Sequence, residues 1–349
     1  MKKLRSFLAV VLCLIMAMSV VSISASAAEA KTLRILSYNV AGLPVDIDIT
    51  LNQKEIGKII NASDYDVVAL QEDFTYHESL VGEVKTFPYQ TITTGSIPWG
   101  DGLNILSKRP IYNVYREEWD QLSGIIDGGN DALTPKGFLY TVVELDDGIY
   151  VDFYTIHADA YGDAGSVAAR TDNFRQLAEH INNRKVDRPV IVVGDFNAFL
   201  HTKRDNDDTG VTPYMINSAG MKDAWVECHN GGDYDDFSYF TDKYGYGYNA
   251  TCGVFDSIER AMYKDGGGVH LEIKELTYDM YGDLSDHPAL NLTFTYEKTE
   301  DFVENTETLV VEKENKTDNI FRRIYYFFMD IIKILSDWDK LMELLGLGK

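Results

Sequence analysis

The sequence predicts an α/β protein of layered sheets, with long loops gathered at one end. Three observations carry that prediction. Short apolar or alternating runs recur along the chain, as in "TLRILSYNV" (32–40), "YDVVALQE" (65–72) and "PVIVVGDFNAF" (189–199). Segments with apolar residues at helical spacing interrupt these runs rather than follow them in one block, which rules against a helical bundle. Several runs end in acids, amides or histidine, residues that an apolar core has no use for.

Taken in order, the first 28 residues stand apart. Lys2, Lys3 and Arg5 precede the apolar run "FLAVVLCLIMAMSVVSI", which closes in "SASAA". This is the layout of a secretory signal peptide with cleavage after Ala27 or Ala28, and no basic stop-transfer cluster follows it. The expectation is an exported protein, secreted or held at the cell surface. A domain over 31–297 follows, long enough for a large core.

Within that domain, "QKEIGKIINASD" (53–64) spaces Ile56, Ile59 and Ile60 as a helix does. "GLNILSKRPI" (102–111) contributes further strand, ended by a basic pair and Pro110. "GFLYTVVEL" (137–145), Asp146-Asp147-Gly148 and "IYVDFYTIHA" (149–158) form a predicted hairpin. An amphipathic helix over 166–183 places Val167, Phe174, Leu177 and Ile181 on one side. Tyr- and Gly-rich sequence over 228–254 reads as surface loops, and "GVHLEIKELTYD" (268–279) and "HPALNLTFTYE" (287–297) as closing strands.

Residues 298–319 are polar and acidic, the composition of a linker. In 320–346, Ile320, Ile324, Phe327, Ile331, Ile334, Trp338, Leu341 and Leu345 recur at helical spacing. Charges interrupt that run too often for a bilayer span. An amphipathic helix of this kind covers the domain, self-associates, or makes a peripheral membrane contact.

The formal net charge of −23 becomes three units more negative once the signal-peptide cations are set aside. A chain this acidic repels polyanions at long range and lacks the basic groove of ordinary nucleic-acid binders, unless a cation mediates. Of the three cysteines, Cys13 leaves with the signal peptide, so Cys228 and Cys252 remain to form one disulfide or none. Two cysteines do not make a four-ligand structural zinc site.

The strand ends then share a chemistry. Asn39, Glu72, His157 and the pair Asp195/Asn197 close or interrupt four strands, and Ser285-Asp286-His287 precedes the last. Glu72, Asp286 and the amide of Asn39 make an oxygen-rich set for Mg²⁺ or another hard divalent cation. His157 and His287 can donate to phosphoryl oxygens or move protons, and Asp195 with Asn197 can orient water. No Gly-rich phosphate loop is present, and Ser285 lacks the context of a serine nucleophile.

These same residues carry a resemblance. "LRILSYNVAGLP", "DVVALQE", "GLNILSKRPI", "YTIHA", "VVGDFNA" and "LSDHP" resemble, in order, the blocks of the endonuclease/exonuclease/phosphatase superfamily, over about 32–297. The resemblance implies a DNase I-like, four-layered α/β sandwich with two central, mostly antiparallel sheets flanked by helices. It implies metal binding by Asn39 and Glu72 with Asp286 close by, phosphate contact by His157, water and phosphate positioning by Asp195 and Asn197, and an essential His287. The superfamily usually has an aspartate that orients the closing histidine. The matching stretch here is "SIERAMYK", with Glu259 in that place and Asp256 as the rival.

The implied reaction is metal-dependent, in-line hydrolysis of a phosphoester. "ALTPKGFLY" (132–140), with Lys136-Gly137, resembles a block of neutral sphingomyelinase-like members. With export and an amphipathic tail, the expectation leans to a phospholipid or sphingolipid substrate at a membrane surface. A secreted endonuclease acting on nucleic acid is the alternative, and a non-catalytic surface-binding protein that retains the fold is a third.

Overall fold

Two βαβ units set the frame. In the first, β1 (Lys31–Asn39) and β2 (Val67–Gln71) run parallel, joined through α1 (Ile49–Ala62). In the second, β7 (Ile149–His157) and β8 (Val190–Asp195) run parallel, joined through α3 (Ala164–Asn182). These elements belong to a computed structural model that describes residues 31–42, 49–74, 76–92, 100–124, 131, 134–146, 148–199, 210–234 and 257–311. The expected signal peptide, the tail helix over 320–346, Cys252 and Asp256 lie outside the described residues.

The remaining elements extend each unit into a six-stranded sheet. α2 (His77–Val81), β3 (Tyr89–Gln90) and β4 (Asn104–Ser107) precede β5 (Ile111–Glu118) and β6 (Gly137–Asp146). After β8 come α4 (Val211–Ala219), β9 (Lys222–Asp223), α5 (Ala224–His229), β10 (Glu259–Lys264), β11 (Val269–Asp279) and β12 (Ala289–Lys298). The strand orders are β11-β12-β1-β2-β4-β3 and β5-β6-β7-β8-β10-β9. Apart from the two central parallel pairs, the registered pairs are antiparallel, and the predicted hairpin is β6–β7.

The layers follow from side-chain alternation. Successive residues of a strand face opposite sides of a sheet, so one parity meets the other sheet and one meets helices. Leu33, Ile35, Val67, Ala69, Val151, Phe153, Ile191, Val193, Ala261 and Tyr263 form the core between the sheets. The opposite parity of β1 and β2 (Leu36, Tyr38, Val68, Leu70) packs on Ile56, Ile60 and Leu80 of α1 and α2. That of β7 and β8 (Tyr154, Ile156, Val190, Val192) packs on Phe174, Leu177 and Ile181 of α3 and Met215 of α4. The result is helix, sheet, sheet, helix, the expected four-layered sandwich. Strands buried on both faces read as continuous apolar runs, which explains "VIVV" ahead of Asp195.

Local details depart from the sequence expectations. α3 is capped by Asp163, whose carboxylate accepts from Gly165 N and Ser166 N. Its inner face carries Arg170 and Asn173 as well as Phe174, while Val167 is only half-buried. The elements α2, α4, α5, β3, β5 and β9, each nine residues or fewer, carry weak periodicity and are not among the expected elements. Residues 299–311, expected as linker, run back along the domain. Val303 N donates to Gly267 O (3.0 Å), Glu307 pairs with Arg188 (2.7 Å), and Asn113 N donates to Val310 O (3.0 Å). The segment stays largely exposed, held to the surface by these contacts, two of which are backbone to backbone.

Gly194 shows how closely β7 and β8 approach. Its φ is 144°, and a Cβ there would sit 2.2 Å from Ile156 O. Gly194→Ala is therefore expected to lower stability by roughly 2–4 kcal/mol, measured by urea unfolding, because one central parallel pair has to part.

Candidate active site

The parity that builds the inter-sheet core also builds the site. Ser37 and Asn39 continue the inward face of β1 beyond Leu33 and Ile35, and Gln71 continues that of β2. Thr155 and His157 continue β7, Asp195 continues β8, and Glu259 begins the inward face of β10. Toward this edge the core changes from aliphatic to polar. Gln71 Nε2 donates to Ser37 Oγ (3.2 Å) and to Thr155 Oγ1 (2.8 Å), joining the two sheets under the site.

Above that layer the strand tips meet. The Asn39 amide donates to Glu72 Oε1 at 2.9 Å and to Asp195 Oδ2 at 3.2 Å. Glu72 leaves β2 with a φ of 53°, turning its carboxylate toward Asn39. His157 Nε2 lies 3.5 Å from Asp195 Oδ2 and 4.0 Å from Glu72 Oε1. Asn197, also at positive φ, donates from its backbone to Asp195 Oδ1 (2.9 Å) and from its amide to Ala158 O (3.0 Å).

The second histidine arrives from the β11–β12 connection. Ser285 Oγ donates to Asn39 O (2.7 Å) and accepts from His287 N (3.2 Å), which ties that connection to β1. His287 Nδ1 lies 2.5 Å from Glu259 Oε1 and 3.8 Å from Asp195 Oδ2. Strand register explains the encounter: Glu259 is paired with Asp195 in the β8–β10 ladder. The extra methylene of glutamate does not prevent the contact with the imidazole.

Burial and charge set the protonation states. His157 is almost wholly buried, and burial drives its ring well below the ordinary histidine range, with Lys136 and His287 adding to the shift. It is neutral at pH 7. Burial also raises Asp195, to about 6, with the His287 charge opposing and the Glu259 charge adding. At His287, burial works against the imidazolium. The Glu259 hydrogen bond and the charges of Asp195, Glu259 and Asp286 outweigh it and raise the ring to about 10.

Of the expected site residues, Asn39, Glu72, His157, Asp195, Asn197, Glu259 and His287 are brought together. Asp286 is not in either of two acid–imidazole groups, Glu72/His157/Asp195 and Asp195/Glu259/His287. Its side chain is 79 % exposed, with Oδ1 3.9 Å from His287 Nε2. Glu72 and Asp195 offer hard carboxylate oxygens that converge on the Asn39 NH2, a pair that a divalent cation would relieve of mutual repulsion, while the Asn39 Oδ1 accepts from Ala41 N (3.1 Å). The donor set therefore fits a hard divalent cation.

Supporting residues escaped the sequence reading. Lys136, noted only as part of a block, is buried, with Nζ 2.6 Å from Asp131 Oδ1 and 3.3 Å from Ala158 O. Trp119 Nε1 donates to His157 O (2.7 Å) and Arg170 donates to Asp159 O (2.9 Å), fixing the chain after His157. The lysine of the "TPKGF" block is the signal the sequence offers for Lys136. Trp119 and Asp131 both lie in the connection between β5 and β6 and carry no spacing that links them to His157.

This fold and this edge of acids, amides and imidazoles define a class. The chain belongs to the endonuclease/exonuclease/phosphatase family, which matches residues 36–287. It is similar to a sphingomyelinase from Mycobacterium tuberculosis, 32% identical over 283 residues that cover 75% of this chain and 52% of that protein. The chain thus spans about half the length of the curated relatives it matches first. Two solved structures share the fold. Sphingomyelinase C from Streptomyces griseocarneus gives a TM-score of 0.51 at 21% identity, covering 76% of this chain and 99% of that one. A variant of beta toxin from Staphylococcus aureus with bound magnesium ions gives 0.52 at 20%, covering 75% and 99%.

Proposed function

We propose that this chain is an exported, Mg²⁺-dependent phosphodiesterase that cleaves a sphingolipid or related phospholipid at a membrane surface, in the manner of a phospholipase C. The observation that carries the reaction class is the meeting of Asn39, Glu72, His157, Asp195 and His287 at one edge of the two sheets. Sphingomyelinase relatives and the "TPKGF" block support the lipid. The signal-like N-terminus supports export, and the amphipathic pattern over 320–346 supports a peripheral membrane contact.

Each residue then has a task. Glu72 and Asn39 would hold the cation. When bound, the cation neutralises phosphoryl charge and eases departure of the leaving oxygen. Asp195, ionised above about pH 6 and backed by Asn197, orients a water for in-line attack and draws its proton. Neutral His157 offers an Nε2 proton to a phosphoryl oxygen, and protonated His287 supplies positive charge and a proton to the transition state.

The test is parallel turnover of the mature chain with Mg²⁺ on sphingomyelin/phosphatidylcholine vesicles and on supercoiled DNA, with Asp195→Ala beside it. Phosphorylated head group is expected to be released from the vesicles and not by the variant. Nicked DNA beside intact vesicles would replace the lipid reading by an endonuclease. Silence on both would point to a binding protein that keeps the fold.

A further inference from the structure

Glu259 is held at more points than a carboxylate needs in order to touch one histidine. Oε1 meets His287 Nδ1 at 2.5 Å, and Oε2 accepts the hydroxyl of Ser257. Its backbone N donates back to Ser257 Oγ (3.2 Å), and its carbonyl accepts from Tyr278 OH (3.0 Å). Glu259 itself is 1% exposed. A glutamate has one more rotatable bond than an aspartate, and an unrestrained one spreads its carboxylate over several rotamers. Both backbone contacts fix where the residue starts, not where its carboxylate ends. The carboxylate has two oxygens, and Ser257 occupies the one that does not face the imidazole.

We propose that Ser257 is a positioning residue, which aims the Glu259 carboxylate at His287 Nδ1 and so compensates for the length of the glutamate. The sequence supports a local device. In "SIE" the serine and the acid are two residues apart, so the serine precedes the first residue of β10 and can turn its hydroxyl back to the side chain. Among the described residues, Ser257 reaches the reacting groups through Glu259 and then His287. The inference rests on the catalytic reading of His287 given above, so its test needs a readout that survives the failure of that reading.

Two measurements on the full mature chain supply this. The first is the downfield proton NMR resonance of the imidazole–carboxylate hydrogen bond, assigned by its loss in His287→Gln. In Ser257→Ala this resonance is expected to move upfield or be lost to exchange, whereas Ser257→Thr retains it. The second is turnover of sphingomyelin vesicles with Mg²⁺. Ser257→Ala is expected to lower kcat about tenfold with KM within about twofold, the loss of one hydrogen bond to a charged group, and Ser257→Thr to restore it. In a Glu259→Ala background, Ser257→Ala is expected to add less than about a twofold loss, because the group it acts through is gone. An unchanged resonance in Ser257→Ala overturns the inference, as does a tenfold penalty that persists in Glu259→Ala. Absence of turnover in the native chain overturns the proposed function and leaves the resonance to decide the role of Ser257.

Discussion

Replacing His287 by alanine is expected to lower turnover about a thousandfold or more, without unfolding the protein. A positioned acid contributes on the order of 10²–10⁴ to a proton-transfer step, and an imidazolium adds electrostatic stabilisation of the developing charge. The fold tolerates the loss because His287 sits in a loop and is partly accessible, while its neighbours lie on strands. Without the imidazolium, Asp195 and Glu259 are two nearby buried carboxylates, and one takes up a proton instead. Circular dichroism and a thermal melt check the fold beside the rate.

The same residue predicts the shape of the pH profile. Asp195 has to be ionised, so kcat/KM rises through about pH 6, and lower still where a bound cation favours the carboxylate. His287 has to be protonated, so activity falls through about pH 10. Glu259→Gln removes the charge and the strong acceptor that hold the proton on His287, and the alkaline limb is expected to move to lower pH. The stability sign agrees. A histidine raised from its ordinary value contributes stability that is full below about pH 6.5 and is lost as pH rises through about 10. An alkaline limb unmoved in Glu259→Gln would remove Glu259 as the cause.

Glu72→Gln carries the second large effect. The substitution keeps the shape and one oxygen but removes a charge from the donor set beside Asn39. The Mg²⁺ concentration for half-maximal turnover is expected to rise at least about tenfold, and the rate at saturating Mg²⁺ to fall about a hundredfold. A Mg²⁺ titration of native and variant chains measures both. An Mg²⁺ dependence unchanged from the native chain would move the cation away from Glu72. Asp286→Asn offers the contrast. Its exposed carboxylate lies outside both acid–imidazole groups, so a smaller change in Mg²⁺ dependence is expected.

Most of the β-strand framework was legible because burial leaves a period in the sequence. The runs ending at Asn39, Gln71, His157 and Asp195 read as strands since their residues face a core on one or both sides. The helix α3 was legible for the same reason, through Phe174, Leu177 and Ile181. The short elements α4, α5 and β9 were not, because fewer than three turns or three residues hold no usable period. The strap over 299–311 was read as linker because composition reports solvation and not which surface a segment lies along.

The sequence by itself determined the layered α/β class, the polar strand tips and the residue types at them, since each is a local consequence of alternation and chemistry. Its resemblance to the superfamily blocks also narrowed the histidine-orienting acid to Glu259 or Asp256. Only the tertiary structure decided that Asn39 and Glu72 from one sheet face His157, Asp195 and Glu259 from the other. That meeting depends on how two sheets stack, which no single strand encodes. The same holds for Glu259, placed opposite Asp195 by ladder register and against His287 by a loop from the other sheet. It holds too for Ser257, whose hydroxyl matters only once the Glu259 carboxylate has been given its direction.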